Sequence, residues 1–220
     1  MKRVGILISG RGSNMVSLLD AMDRGDIQAR CAVVVSNVYG APGLSVAEER
    51  GVPTFVVDHR QSSTRKDHDN KVLRILVEHG VQIVCLAGYM RILSPMFVKA
   101  FEGRLLNIHP SLLPSFPGLH VQQKAIDHGA RFSGCTVHFV DDQVDHGCIF
   151  LQAVVPILPG DDEVALSKRI LDYEHRIYPT ALKLLCEEKA ILRDGKVHLS
   201  LDDEEYRHLL ADFICPAEDP

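Results

Sequence analysis

The chain has 220 residues, 46% hydrophobic and 24% charged, with 24 basic against 29 acidic side chains and a formal charge of -5. That is an ordinary soluble globular composition for one domain or two closely packed lobes, and it argues against a general nucleic-acid binder, which needs clustered positive charge. The apolar run after Met1-Lys2-Arg3 is too short for a secretory core, and no later run is long enough to cross a bilayer. The six cysteines show no metal-type pairing and read as reduced thiols, so a cytoplasmic location is expected, without membrane or nucleic-acid partners.

Short apolar runs alternate with helical patterns, as in βαβ units around a mainly parallel sheet. Strands are expected at Val4–Ile8, at Cys31–Val35 (too uniformly apolar to have a wet face), at Thr54–Val57, at Ile83–Ala87 and at Leu105–Ile108. Helices are expected between them at Ser13–Arg24, Gly43–Arg50 and Ser63–His79, and a short one opens at Ser94-Pro95, a hydroxyl cap followed by proline. The second half differs. Thr136–Val140 and Ile149–Val155 read as paired strands around an acidic loop. From Gly160-Asp161-Asp162 a long helix follows, with Leu166, Ile170, Tyr173, Ile177, Ala181 and Leu184 on one stripe and Pro179 expected to kink or divide it. Ile191–Leu199 turns at Asp194-Gly195 as a hairpin. The acidic tail 201–220 is expected to be loosely held.

Three segments follow strand ends and could carry chemistry. Ser9-Gly10-Arg11-Gly12-Ser13-Asn14 leads into a helix, where backbone amides and the helix start favour an anion. It lacks the third glycine of a dinucleotide loop and the Lys-Ser/Thr of a P-loop, so a monophosphate fits better. A plain capped turn is the alternative. Gly88-Tyr89-Met90-Arg91-Ile92-Leu93 is an apolar loop with one arginine, able to bracket a flat ligand or simply to pack. In Leu106-Asn107-Ile108-His109-Pro110, Asn107 and His109 share one side of a strand. A carboxamide beside an imidazole suits stabilisation of an oxyanion and proton transfer, although a single histidine is more often structural. The carboxyl ends of parallel strands are where ligands bind in open α/β sheets. The loop Asp141–Gly147 is either a solvated hairpin tip or the source of a carboxylate that favours a charged imidazole. A metal site from His138, Asp145, His146 and Cys148 matches no usual zinc spacing.

Taken in order, Gly10–Asn14, Gly88–Pro95, Leu106–Pro114, Phe116–His120 and Thr136–Val140 resemble the phosphoribosylglycinamide formyltransferases of the formyltransferase superfamily, from about residue 3 to Pro179. The resemblance implies a Rossmann-like, mainly parallel twisted sheet with helices on both faces and antiparallel strands in the C-terminal half. It implies a single domain over 1–200, with a phosphate-binding half at 1–100 and a catalytic and folate-binding half at 101–200. It further implies formyl transfer from 10-formyltetrahydrofolate, as co-substrate and with no metal required, to the amine of glycinamide ribonucleotide in purine biosynthesis, by a monomer or homodimer. Asn107, His109 and Asp145 match the catalytic trio. Gly12, Ser13, Asn14 and Glu174 match the substrate site. Arg65, Met90, Arg91, Ile92, Leu93, Asn107, Val140, Asp141 and Asp145 match the folate pocket. One departure stands out: the family usually follows the aspartate with a small residue and Gly-Pro, whereas this chain reads Asp145-His146-Gly147-Cys148, which implies a less rigid loop. The rival readings are a formyltetrahydrofolate hydrolase, which normally carries an extra N-terminal domain, a methionyl-tRNA formyltransferase, which normally adds a C-terminal one, and a non-catalytic phosphometabolite binder.

Overall fold

The structure is a computed structural model and describes residues 1–215; the segment 216–220, the end of the expected loose tail, lies outside the described residues. The chain forms two compact units. The first is Met1–Asn107 with Phe139–Asp142, and the second runs over Ile108–His138 and from Gln143 onward. The division falls inside a strand rather than at residue 100, because that strand adds to the first unit's sheet up to Asn107.

In the first unit, β1 (Lys2–Ile8), β2 (Ala29–Ser36), β3 (Thr54–Val56), β4 (Ile83–Leu86) and β5 (Leu105–His109) run parallel in the order β3-β2-β1-β4-β5. Helices α1 (Ser13–Asp23), α2 (Pro42–Glu49), α3 (Arg65–Glu78) and α4 (Pro95–Ala100) connect them, with one 3-10 turn at His59–Gln61. Thr64 caps α3 by accepting the Asp67 N–H at 3.0 Å, so the helix begins at Arg65, two residues later than the sequence suggests.

Alternation along β1 shows why both faces are apolar. Leu7 joins Val72 and Leu76 of α3 and Phe97 of α4 in one core cluster. Ile8, one residue on, points the other way and abuts Gly43 of α2. A sheet covered on both sides has no wet face, so Val33, Val34 and Val35 of β2 are all fully buried, each contributing about 1.5–3 kcal/mol.

In the second unit, β6 (Phe132–Phe139) and β7 (Ile149–Pro156) pair antiparallel, as expected. Helix α5 (Val121–Asp127) comes before them and α6 (Glu163–Cys186) after, with α6 packed along β7 and against α5. Asp162 caps α6 by accepting the Ala165 N–H at 2.8 Å. Strands β8 (Ala190–Arg193) and β9 (Lys196–Leu199) form the hairpin read from Asp194-Gly195, both of which have the positive φ that a two-residue turn requires.

The expected division at Pro179 and the loose tail are both corrected here. Pro179 does not divide α6, which runs unbroken through it. Interior proline costs about 3 kcal/mol, but Ile177, Tyr178, Ala181 and Leu182 are fully buried on either side and outweigh it. The Thr180 hydroxyl also donates to the Arg176 carbonyl at 2.9 Å, one residue along from the His175 carbonyl that Pro179 cannot bond. Nor is the tail loose as far as it is described. Asp203–Ala211 forms α7 with a complete capping box between Asp202 and Glu205. Beyond it Phe213 is buried, and the chain bonds to β7 through Val154 on both sides. No helix among the described residues is long and apolar enough to cross a membrane.

Candidate active site

In the first unit, the loops after the neighbouring strands β1 and β4 meet. Ser9 N–H donates to the Gly88 carbonyl at 3.2 Å, and the Met90 N–H donates to the Ser9 hydroxyl at 2.8 Å. Between them lies a pocket of about 260 Å³ lined by Ser9–Asn14, Ala87, Gly88 and Met90. Gly12 caps α1 with φ 72°, a left-handed conformation that glycine takes without strain, and contributes no side-chain cap. The helix start therefore faces the pocket with its backbone donors and its positive dipole end. That combination accepts a phosphate-sized anion. Arg11, part of the candidate segment but not among the residues matched to the family's substrate site, lines the same pocket and adds a cation.

Glycine 43 makes the loop's shape possible from behind. Its N–H donates to the Gly10 carbonyl at 3.1 Å, and an added Cβ would stand 2.8 Å from Ile8 Cδ1 and 3.1 Å from the carbonyls of Gly10 and Arg11. Gly43→Ala should push this loop outward and weaken inorganic phosphate binding about 10-fold, the equivalent of ~1.4 kcal/mol. Titration calorimetry checks it, and unchanged affinity would separate the pocket from α2.

The residues matched to the folate divide between surface and core. Met90 and Ile92 are exposed, Arg91 is half-buried, and Leu93 packs into the core cluster with its side chain turned away from solvent. Val140 lies beside β5, its N–H donating to the Leu105 carbonyl at 3.0 Å, and Asp141 follows it. Asn107 lies on β5 opposite Leu86 of β4. Arg65 stands exposed at the first residue of α3 and takes no part in the pocket lining.

In the second unit, His109 ends β5 with its side chain 6% exposed. Its Nδ1 faces Asp145 Oδ2 at 3.4 Å, and its Nε2 lies 3.0 Å from the Phe116 carbonyl. Both ring nitrogens thus face acceptors, an arrangement that a ring with two N–H groups satisfies. Asp145 Oδ2 also accepts the Gly118 N–H at 2.9 Å, which ties the acidic loop to the 116–118 turn. Ser111 donates to the carbonyls of Ser115 and Phe116 at 2.7 and 3.1 Å and fixes that turn. Glu174 is buried on α6; after burial itself, its charge is the next cause that pushes the Cys135 thiol up. Among the described residues no His, Cys, Asp and Glu cluster suits a metal ion.

Sequence reasoning missed a buried polar group beneath the 88–94 loop, His68 with Tyr89 and Asp69 with Ser94. Burial, then the Arg91 charge, lowers the His68 pKa to about 4, while Asp69 opposes the shift and His59 and Lys71 add to it slightly. The unfolded chain takes up this proton near the ordinary pKa of about 6.5 and the folded chain only near 4, so stability should fall as pH drops through that window. For one proton the slope is at most about 1.4 kcal/mol per pH unit. Urea midpoints from pH 7 to 4 should decline less steeply for His68→Phe than for the unaltered chain; equal slopes would remove His68 from the acid response.

The model of the formyl transferase family matches residues 2–182. The chain belongs to the formyl transferase family. It is 50% identical over 186 residues, 84% of its length, to the trifunctional purine biosynthetic protein adenosine-3 of Drosophila pseudoobscura pseudoobscura, of which it spans 14%. It is 41% identical to the phosphoribosylglycinamide formyltransferase of Haemophilus influenzae, across 90% of this chain and 94% of that one. The crystal structure of glycinamide ribonucleotide transformylase 1 from Symbiobacterium toebii superposes with a TM-score of 0.89 at 46% identity, covering 92% of this chain and 95% of that one. Within this formyl transferase the mainly parallel sheet and the C-terminal antiparallel strands are those the resemblance implied.

Proposed function

We propose that this formyl transferase moves the formyl group of 10-formyltetrahydrofolate to the amine of glycinamide ribonucleotide, giving formylglycinamide ribonucleotide and tetrahydrofolate. The observation that carries the reading is the pairing of buried His109 with Asp145, with Asn107 two residues earlier on the same strand. The reaction forms a bond from the amine nitrogen to the formyl carbon and breaks the bond from that carbon to folate N10. The amine proton ends on N10.

The tetrahedral intermediate carries its charge on the former formyl oxygen, and preorganised donors stabilise it more than they stabilise the planar formyl group. Asn107 supplies an amide N–H and His109 a ring N–H. For the ring to donate to that oxygen, one of its two present contacts must give way, the Nε2 hydrogen bond to the Phe116 carbonyl or the Nδ1 ion-pair contact with Asp145. The neutral Phe116 carbonyl is the weaker partner of the two, since Asp145 carries a full charge, so Nε2 is the nitrogen released.

The glycine pocket takes the substrate phosphate through Gly12, Ser13 and Asn14, with Arg11 beside them. Glu174 takes the ribose hydroxyls. Arg65, Met90 to Leu93, Asn107, Val140, Asp141 and Asp145 take the folate, Leu93 through its backbone. Six cysteines with no disulfide among the described residues fit a reducing, cytoplasmic setting.

The test is purified protein with 10-formyltetrahydrofolate, with and without glycinamide ribonucleotide, following tetrahydrofolate release. Release that depends on the amine is expected. Equal release without it would make the chain a hydrolase, and none in either tube would leave a binding protein.

A further inference from the structure

His68 and Asp69, consecutive on α3, are 0% and 1% exposed, and neither has a role in the reaction as read above. Burying an imidazole and a carboxylate here costs more than an apolar pair would. The cost shows in their surroundings. His68 Nδ1, Asp69 Oδ1, Ser94 Oγ and Arg91 Nε are buried and find no hydrogen-bond partner among the described residues. Folded proteins keep few such atoms, and four in one place call for an explanation other than stability.

What the two residues do make is a pair of bonds to one loop. His68 Nε2 lies 2.8 Å from the Tyr89 hydroxyl, and Asp69 Oδ2 accepts the Ser94 backbone N–H at 2.6 Å. Tyr89 and Ser94 bracket Met90-Arg91-Ile92-Leu93. Between the anchors Met90 is 67% exposed and Ile92 50% exposed, although an unheld apolar loop would fold these side chains inward. A neutral His68 suits an anchor that must survive near neutral pH, and its burial keeps it so.

We propose that His68 and Asp69 are positioning residues: from one turn of α3 they fix both ends of the Tyr89–Ser94 loop, so that Met90 and Ile92 stay presented to the folate. The proposal rests on the assignment of that loop to the folate in the preceding section. Neither residue touches the reacting atoms; both act through the loop.

The test uses the full chain and four variants. Asp69→Ala removes the acceptor for Ser94 N–H, whereas Asp69→Asn keeps an acceptor oxygen there. His68→Phe strands the Tyr89 hydroxyl, whereas His68→Phe with Tyr89→Phe removes both polar groups, a change that is close to neutral when both partners go. Equilibrium dialysis of 10-formyltetrahydrofolate should show Kd rising about 10-fold in Asp69→Ala and in His68→Phe, and returning to within about 3-fold in the two companion variants. Amide exchange in the ligand-free protein, read by mass spectrometry, should speed up about 10-fold across 90–93 in the two disruptive variants and recover in their companions.

Unchanged exchange in the disruptive variants would show that the loop is not held this way. Faster exchange with unchanged Kd would show that the held loop does not serve the folate. Either overturns the proposal, as does an unaltered chain that binds no folate. A chain that binds folate without transferring the formyl group would sink the functional reading and leave the dialysis and exchange results to decide this one.

Discussion

His109→Ala should lower kcat for formyl transfer about 10³-fold or more, close to 4 kcal/mol of transition-state stabilisation, with the Michaelis constants for both substrates moving far less. The split between kcat and KM follows from where the imidazole acts. Its N–H bonds strengthen only when negative charge develops on the formyl oxygen, so its loss is felt in the transition state and not in the bound complex. The structure makes a detour around this ring difficult. Its side chain is 6% exposed, flanked by Asp145 at 3.4 Å and the Phe116 carbonyl at 3.0 Å, so replacement leaves the carboxylate with the Gly118 N–H but without the imidazole. Because losing an ion-pair partner at a side chain only 13% exposed also destabilises the fold, thermal melts must accompany the kinetics. A variant that melts near the original temperature and keeps more than about a tenth of kcat would take His109 out of the chemistry.

Much of the fold and part of the site can be read in the sequence, and the limits have identifiable causes. The strands of the first unit are short apolar runs between turn signals, and burial on both faces makes those runs unmistakable. The Asp194-Gly195 hairpin is equally local, because the turn demands residues that tolerate positive φ. Pro179 misleads because its cost is intrinsic, whereas the packing of Ile177, Tyr178, Ala181 and Leu182 that overrides it is tertiary. The α7 segment misleads through composition: its acidic residues suggest a solvated tail, yet Asp202 and Glu205 spell a capping box that position alone reveals. Helix α5 gives little warning, since its cap, His120, sits at φ 55° and makes no side-chain capping bond.

The site follows the same division. Asn107 and His109 stand out because a strand repeats every two residues, and the glycine loop because its glycines fall between a strand and a helix. Asp145 emerges only through the family resemblance, since nothing local ties the acidic loop to a distant histidine. The Phe116 carbonyl leaves no trace in the sequence, being backbone. His68 and Tyr89 lie 21 residues apart on different elements, and either alone reads as an ordinary core or surface residue.

Asp145→Asn should reduce kcat about 10²-fold, near 2.7 kcal/mol, and should do so with little loss of stability. The substitution is close to a pure removal of charge. Asp145 sits at φ 51°, a left-handed conformation that asparagine tolerates better than most residues, and the amide oxygen can still accept the Gly118 N–H. What changes is the charge turned to the imidazole. The same oxygen, Oδ2, accepts the Gly118 N–H and faces Nδ1, so an amide oxygen kept on Gly118 still offers Nδ1 an acceptor, but a neutral one. A neutral amide supports a charged imidazole less than a carboxylate does, so the ring has less to give a developing oxyanion. Asp145→Ala provides the contrast: it also strands the Gly118 N–H and puts alanine in a left-handed conformation, so it should match asparagine's loss in kcat and add a clear loss in melting temperature. If asparagine retained full turnover while alanine lost it, the aspartate's part would be to hold the loop, and the charge facing His109 would have no share in the reaction.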